Sequence, residues 1–117
     1  MNTIEQAISK MQRYVDGKNR DWKVNRGIFP DIIIYESQTK EYQSCWVFFW
    51  QVREIAEDHS NVIIGNGPIL IEKESLDMYI LGTGREIEEQ VEHFSEDKDY
   101  FLHLEEDEYG YFEVVNR

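Results

Sequence analysis

The stretch Gly65-Asn66-Gly67-Pro68-Ile69-Leu70-Ile71 runs through Glu72-Lys73-Glu74-Ser75-Leu76-Asp77 into Met78-Tyr79-Ile80-Leu81-Gly82-Thr83-Gly84-Arg85, and its reading organises the chain. Asn-Gly supplies positive φ at little cost, so Gly65, Asn66 and Gly67 read as a tight turn. Pro68 fixes φ and has no N–H to donate, so it belongs at the start or edge of the strand that follows. Ile69 to Ile71 is that strand, Lys73 to Asp77 a polar turn, and Met78 to Leu81 the return strand. Gly82-Thr83-Gly84 then hands over to a helix. This hairpin holds no catalytic constellation. It is a folding unit, and function is sought on the surfaces it supports.

Upstream, Tyr42 to Gln51 reads as a strand carrying Trp46-Val47-Phe48-Phe49-Trp50. Alternation puts Trp46, Phe48 and Trp50 on one face and Val47 and Phe49 on the other. Apolar residues on both faces imply a central strand covered on both sides, or one face left for a partner protein. Asp31 to Ser37, with Ile32, Ile33 and Ile34, is a β-branched strand, and Gln38 to Glu41 is a turn. Further back, Thr3 and Gln6 make a capping box, and Ile4, Ala7, Ile8, Met11 and Val15 follow at helical spacing. The spacing predicts a helix over residues 4–16 with Gly17 as its stop. Residues 17–30 read as a loop with a short strand around Trp22 to Val24. Val52, Ile55, Ala56 and His59 fit a two-turn helix in an ambiguous segment, and Val62 to Ile64 returns to strand character.

Downstream, Thr83-Gly84-Arg85-Glu86 reads as a second capping box. Ile87, Val91 and Phe94 make the buried stripe of a helix over about 85–95, with Glu86, Glu88, Glu89 and Glu92 on its outer surface. Acids in the first turn favour the helix macrodipole, which accounts for Glu86 and Glu88 but less well for Glu92. Tyr100 to Leu104 and Tyr109 to Val115 read as a terminal hairpin joined by Glu105-Glu106-Asp107-Glu108. The fold class expected is α+β: an antiparallel sheet of about five to six strands packed by an N-terminal helix and a short second helix.

At 117 residues the chain is expected to be one domain, 1–117. No apolar run approaches the roughly 20 residues of a membrane helix. Met1-Asn2-Thr3-Ile4-Glu5 lacks a basic region followed by an apolar core, and the single Cys45 permits no internal disulfide, so the expected location is cytoplasmic. Net charge is −12, and residues 85–117 hold twelve acids against three bases (Arg85, Lys98, Arg117). Such a chain repels phosphate backbones, so nucleic-acid binding is not expected. It attracts basic partners and speeds their docking, although charge also serves solubility alone. Lys18, Arg20, Lys23 and Arg26 form a locally basic cluster, read as a solvated face or as a balance to the acidic third.

Catalytic chemistry is hard to find. His59, His93 and His103 stand at no metal-ligand spacing, so no metal is expected. Cys45 reads as a small core hydrophobe rather than a nucleophile. There is no Gly-x-Ser-x-Gly elbow, and neither Gly65-Asn66-Gly67 nor Gly82-Thr83-Gly84 has the spacing of a phosphate loop. No cofactor is implied, and the expectation is a protein that is not an enzyme.

The ordered set Trp46 to Trp50, Gly65 to Lys73 and Leu81 to Glu88 resembles the YrhB-like family, which is grouped with the immunity proteins of bacterial polymorphic toxin systems. The family pattern is an N-terminal helix, a W-V-F-F-type strand, a G-N-G-P hairpin and a G-[ST] turn opening an acidic helix. The resemblance covers about residues 3–95. It implies an intracellular α+β protein that binds and neutralises a cognate toxin domain, with no catalytic residues to carry over. Its matching positions, Gly65, Asn66, Gly67, Pro68, Gly82 and Gly84 among them, are structural. The acidic extension 96–117 lies beyond it and is a natural specificity element. Expected contacts to a basic toxin surface are Glu88, Glu89 and Glu92 of the second helix and Glu105, Glu106, Asp107, Glu108 and Tyr109 of the tail. The rival expectation is a chaperone-like or housekeeping protein-binding module. A third is a small-ligand binder with an apolar cavity under the helix. Oligomeric state is left open.

Overall fold

A computed structural model describes residues 2–27, 31–63, 67–83, 86–96 and 113–115. In chain order it contains α1 (Ile4–Arg26), β1 (Ile32–Ile34), a 3-10 turn (Glu36–Gln38), β2 (Lys40–Glu41), β3 (Cys45–Phe48), β4 (Trp50–Val52), β5 (Ile69–Glu72), β6 (Met78–Ile80), α2 (Ile87–Glu96) and β7 (Glu113–Val115). A five-stranded sheet has the order β2-β3-β5-β6-β7, and β1 and β4 form a two-stranded one. Every pairing is antiparallel. The expected α+β class with two helices is what the chain adopts.

The two sheets are pieces of one meander. β3 and β4 are a single long strand interrupted at Phe49, where the backbone carbonyl still accepts from Tyr35 N at 2.8 Å. The partner strand is broken opposite by the 3-10 turn, so β1 pairs with β4 and β2 with β3. The aromatic strand is therefore shorter and more divided than residues 42–51 suggested. Its first residues form a turn closed by Tyr42 N on Cys45 O at 2.8 Å. The turn placed at 38–41 moves back to 36–38, because Lys40 and Glu41 pair with Val47 and Trp46.

Strand alternation sets the layers. Trp46, Phe48, Trp50, Ile69, Ile71 and Met78 form one core with Ala7, Met11, Tyr14 and Val15 of α1. Cys45, Val47, Leu70, Tyr79 and Leu81 form a second with Val91 and Phe94 of α2. The chain itself covers both sheet faces, the first of the two alternatives that the two-sided apolar pattern of the central strand leaves.

α1 is longer than the spacing predicted. It runs through Gly17 to Arg26 and ends at Gly27, whose φ of 66° supplies the left-handed cap. The loop and short strand expected over 17–30 are thus helix up to Arg26. Tertiary contacts outweigh the glycine. The Trp22 ring lies 6.5 Å from that of Trp50. The Lys18 ammonium sits 5.2 Å from the Tyr14 ring centre, 5.8 Å from Trp22 and 5.7 Å from Trp50. Asn19 donates to Ile32 O at 3.1 Å and accepts from Ile32 N at 2.9 Å, so its amide occupies the outer edge of β1. At Gly17 an added Cβ meets nothing nearer than the flexible end of Arg20, 3.9 Å away. Gly17→Ala should therefore stabilise the protein by up to ~1 kcal/mol, read as a higher urea midpoint at unchanged slope. An unchanged or lower midpoint would show that Gly17 serves something other than helix.

Other differences have local causes. Among the described residues of 52–61 there is no helix. Val52 ends β4 opposite Ile32, and Asn61 organises the loop by accepting from Ala56 N at 2.8 Å and donating to Glu54 O at 2.7 Å. Val62 and Ile63 form no strand. Instead the Gln51 side chain donates to Ile63 O at 3.0 Å and accepts from Ile63 N at 2.8 Å. The β5–β6 hairpin forms where it was expected, pairing Ile71 with Met78 and Ile69 with Ile80, with Pro68 immediately before β5 and its carbonyl accepting from Leu81 N at 2.8 Å. At Gly67 the requirement is close approach rather than positive φ: a Cβ there would lie 1.9 Å from Leu81 O. Lys73, assigned to a polar turn, is buried. Its ammonium lies 2.8 Å from a Glu41 carboxylate oxygen and 5.2 Å from the Trp46 ring centre. Gly65, Asn66, Gly84 and residues 97–112 lie outside the described residues, so the turn, part of the second cap and the first strand of the terminal hairpin do too. Where that hairpin was to end, β7 pairs with β6 and is the last strand of the sheet among the described residues.

Candidate interaction surface

α2 is the element that presents the acidic residues. It begins at Ile87, with Gln90 N donating to Glu86 O at 3.2 Å, two residues later than expected. Ile87, Gln90, Val91 and Phe94 turn inward, and Phe94 packs on Tyr79 with ring centres 5.3 Å apart. Gln90 is fully buried, and the sequence reading did not single it out. Its amide donates to Gly82 O at 3.0 Å and accepts from Gly82 N at 2.9 Å, locking the helix to the turn before it. The signal was present, since position 90 falls on the 87–91–94 stripe where a polar side chain needs a partner.

The three predicted contacts on α2 differ in standing. Glu92 is exposed, as is Glu96 one turn on. Glu89 is half-buried and already engaged. Glu88 is exposed but ties α2 to β2: it accepts from Lys40 Nζ and from the Tyr42 hydroxyl, each at 3.3 Å. The Lys40 hydrogen bond holds its carboxyl below the usual range. Burial, helped by Glu88, pushes the Tyr42 hydroxyl up to about 12, so tyrosine stays the donor at neutral pH. At the other end of the helix, Ser95 and Ser44 hydroxyls meet at 2.9 Å. Glu88 and Glu92 thus share one secured helix. Glu105, Glu106, Asp107, Glu108 and Tyr109 lie outside the described residues.

Between the first turn of α2 and the break in the long strand lies a cleft of about 740 Å3, lined by Tyr35, Gln38, Lys40, Phe49, Pro68 and Ile87 among others, with Glu86 and Glu88 on its α2 side. Lys40 and Tyr42 were not anticipated, because 48 and 46 residues separate them from Glu88. A smaller cleft of about 440 Å3 lies between α1 and β1 and is lined in part by Arg20 and Lys23, and the basic cluster lies on helix, not loop. Cys45 is buried in the second core, where burial raises its thiol to about 11 and disfavours the thiolate. Among the described residues no group of three or more His, Cys, Asp or Glu side chains is placed to hold a metal ion. Nor is any described helix long and apolar enough to cross a membrane.

No protein-family model matches the chain, and no solved structure does. The chain is similar to the "Uncharacterized protein YrhB" of Escherichia coli (strain K12), 26% identical over 96 residues that span 80% of this chain and 89% of that protein.

Proposed function

We propose that this protein is a cytoplasmic immunity protein, which binds a cognate bacterial toxin domain and neutralises it by occlusion, without catalysis of its own. The similarity to YrhB supports the YrhB-like part of this reading, and the toxin-binding part extends from the family's grouping. The observation that carries it is the acidic outer surface of α2, with Glu88, Glu92 and Glu96 exposed on a helix secured by Gln90, Glu88 and Ser95. A carboxylate surface on a rigid support suits a basic cleft, where steering sets the association rate and fixed geometry limits ordering losses.

A tagged pull-down from the native host, washed at moderate salt and read by mass spectrometry, tests this. One stoichiometric partner that is the C-terminal domain of a large secreted protein establishes the reading. A spread of unrelated basic or unfolded chains replaces it with the chaperone-like module. With the partner in hand, charge reversal of Glu105, Glu106, Asp107 and Glu108 together should slow association and flatten its dependence on salt in stopped-flow measurements. Unchanged association kinetics would remove the tail from the interface.

A further inference from the structure

The cleft beside the first turn of α2 has a chemistry that the outer acidic face lacks. Its lining is partly apolar and aromatic, with Tyr35, Phe49, Pro68 and Ile87, and Glu86 and Glu88 of the α2 end are part of it. Glu88 is matched at present by Lys40, at 3.3 Å, but both side chains are about half exposed, 45% for Lys40 and 60% for Glu88. An ion pair so open to water is weakly held and readily exchanged. A lysine ammonium is a compact point charge, whereas a guanidinium offers a flat face for an aromatic ring and a fork of donors for carboxylates. Its volume of about 740 Å3 exceeds the needs of one side chain and suits a short loop that carries one.

We propose that this cleft is the socket for an arginine-bearing loop of the protein partner: the guanidinium lies against Phe49, takes Glu86 and Glu88 as acceptors, and displaces Lys40. This rests on the toxin-binding reading and names where and by what chemistry the partner is held. Charge complementarity selects the occupant, since the chain carries net charge −12 and, among the described residues that line the cleft, Glu86 and Glu88 outnumber Lys40.

The test is an amide-resonance titration of the full chain at low salt with N-acetyl-arginine methylamide, and with N-acetyl-lysine methylamide in parallel. Shifts are expected at residues 49–51, 82–83 and 86–88, larger and saturating earlier for arginine. They should vanish in the Glu86→Gln/Glu88→Gln double variant and saturate at lower probe concentration in Lys40→Ala, where Glu88 keeps the Tyr42 hydroxyl but loses the competing ammonium. Both variants change exposed side chains, and unaltered amide resonances of Gln90, Val91 and Phe94, which face the core beneath α2, verify that the helix stays docked. Equal response to arginine and lysine, or shifts centred on Glu92 and Glu96, would overturn the proposal. The two readings fail separately. A partner retained at full strength by the double variant removes the cleft from the interface and leaves the toxin reading intact. No partner at all, with arginine still seated in the cleft, removes the toxin reading and keeps the cleft as a guanidinium site.

Discussion

Gly67→Ala is expected to cost about 3 kcal/mol or more, the upper end for overpacking and a large share of the stability of an ordinary domain. The reason is steric. The new methyl would fall 1.9 Å from the carbonyl oxygen of Leu81 and 3.1 Å from Ile80 Cγ2. A flexible side chain swings away from such a clash, but the nearest atom here is backbone. Leu81 is held on its other side by its own N–H on Pro68 O at 2.8 Å, and its side chain is buried in the α2-side core. Relief requires opening the end of the β5–β6 ladder. Urea melts followed by circular dichroism measure the loss. A stability within 1 kcal/mol of the parent protein would show that the ladder end opens freely, contrary to its place between two cores.

Gln90 should be nearly as sensitive, and its two informative replacements separate the reasons. Gln90→Leu keeps the volume but leaves the N–H and C=O of Gly82 without their side-chain partner, at about 1–3 kcal/mol for each buried group left unsatisfied. That loss is independent of pH. In Gln90→Glu the protonated acid can still donate to Gly82 O and accept from Gly82 N, whereas the carboxylate accepts only and faces a carbonyl in a site closed to water. Burial therefore raises the folded-state pKa of the new glutamate above its unfolded value of about 4.3. A raised folded pKa means stability present below the unfolded pKa and lost as pH rises through the folded one. The gap between Gln90→Glu and the parent protein should be small in mild acid and widen steadily towards neutral pH. The gap for Gln90→Leu should stay constant. A glutamate variant with a pH-independent deficit would show that the side chain has left the core and that α2 has moved.

Much of this architecture is legible in single residues. The alternation of Trp46, Phe48 and Trp50 against Val47 gives a strand with two covered faces, and the two helical stripes supply the covers. The hairpin from Ile69 to Ile80 follows from Pro68 and the polar break at 73–77. What misled was Gly17, whose local preference for ending a helix is about 1 kcal/mol and is outweighed once Lys18, Asn19 and Trp22 find partners on β1 and β4. Gly67 was read for its freedom of φ, whereas its role depends on the position of Leu81, which only the folded hairpin defines. The candidate site was legible by half. Acids on the outer face of α2 follow from helical spacing, but the Lys40–Glu88–Tyr42 grouping joins segments more than 40 residues apart, and no spacing rule reaches across them.

The division into two cores also places the chain's natural fluorophores. All three tryptophans, Trp22, Trp46 and Trp50, belong to the layer between α1 and the sheet, and the aromatic side chains of the layer under α2 are Tyr42, Phe49, Tyr79 and Phe94 among the described residues. Indole emission is thus a one-sided reporter. It follows the docking of α1 and is nearly blind to the core beneath α2, while far-ultraviolet dichroism senses both helices. In a single cooperative transition the two curves superimpose. If α2 lifts away first, as the loss of the Gln90 lock would encourage, dichroism falls while the tryptophans still register an intact fold.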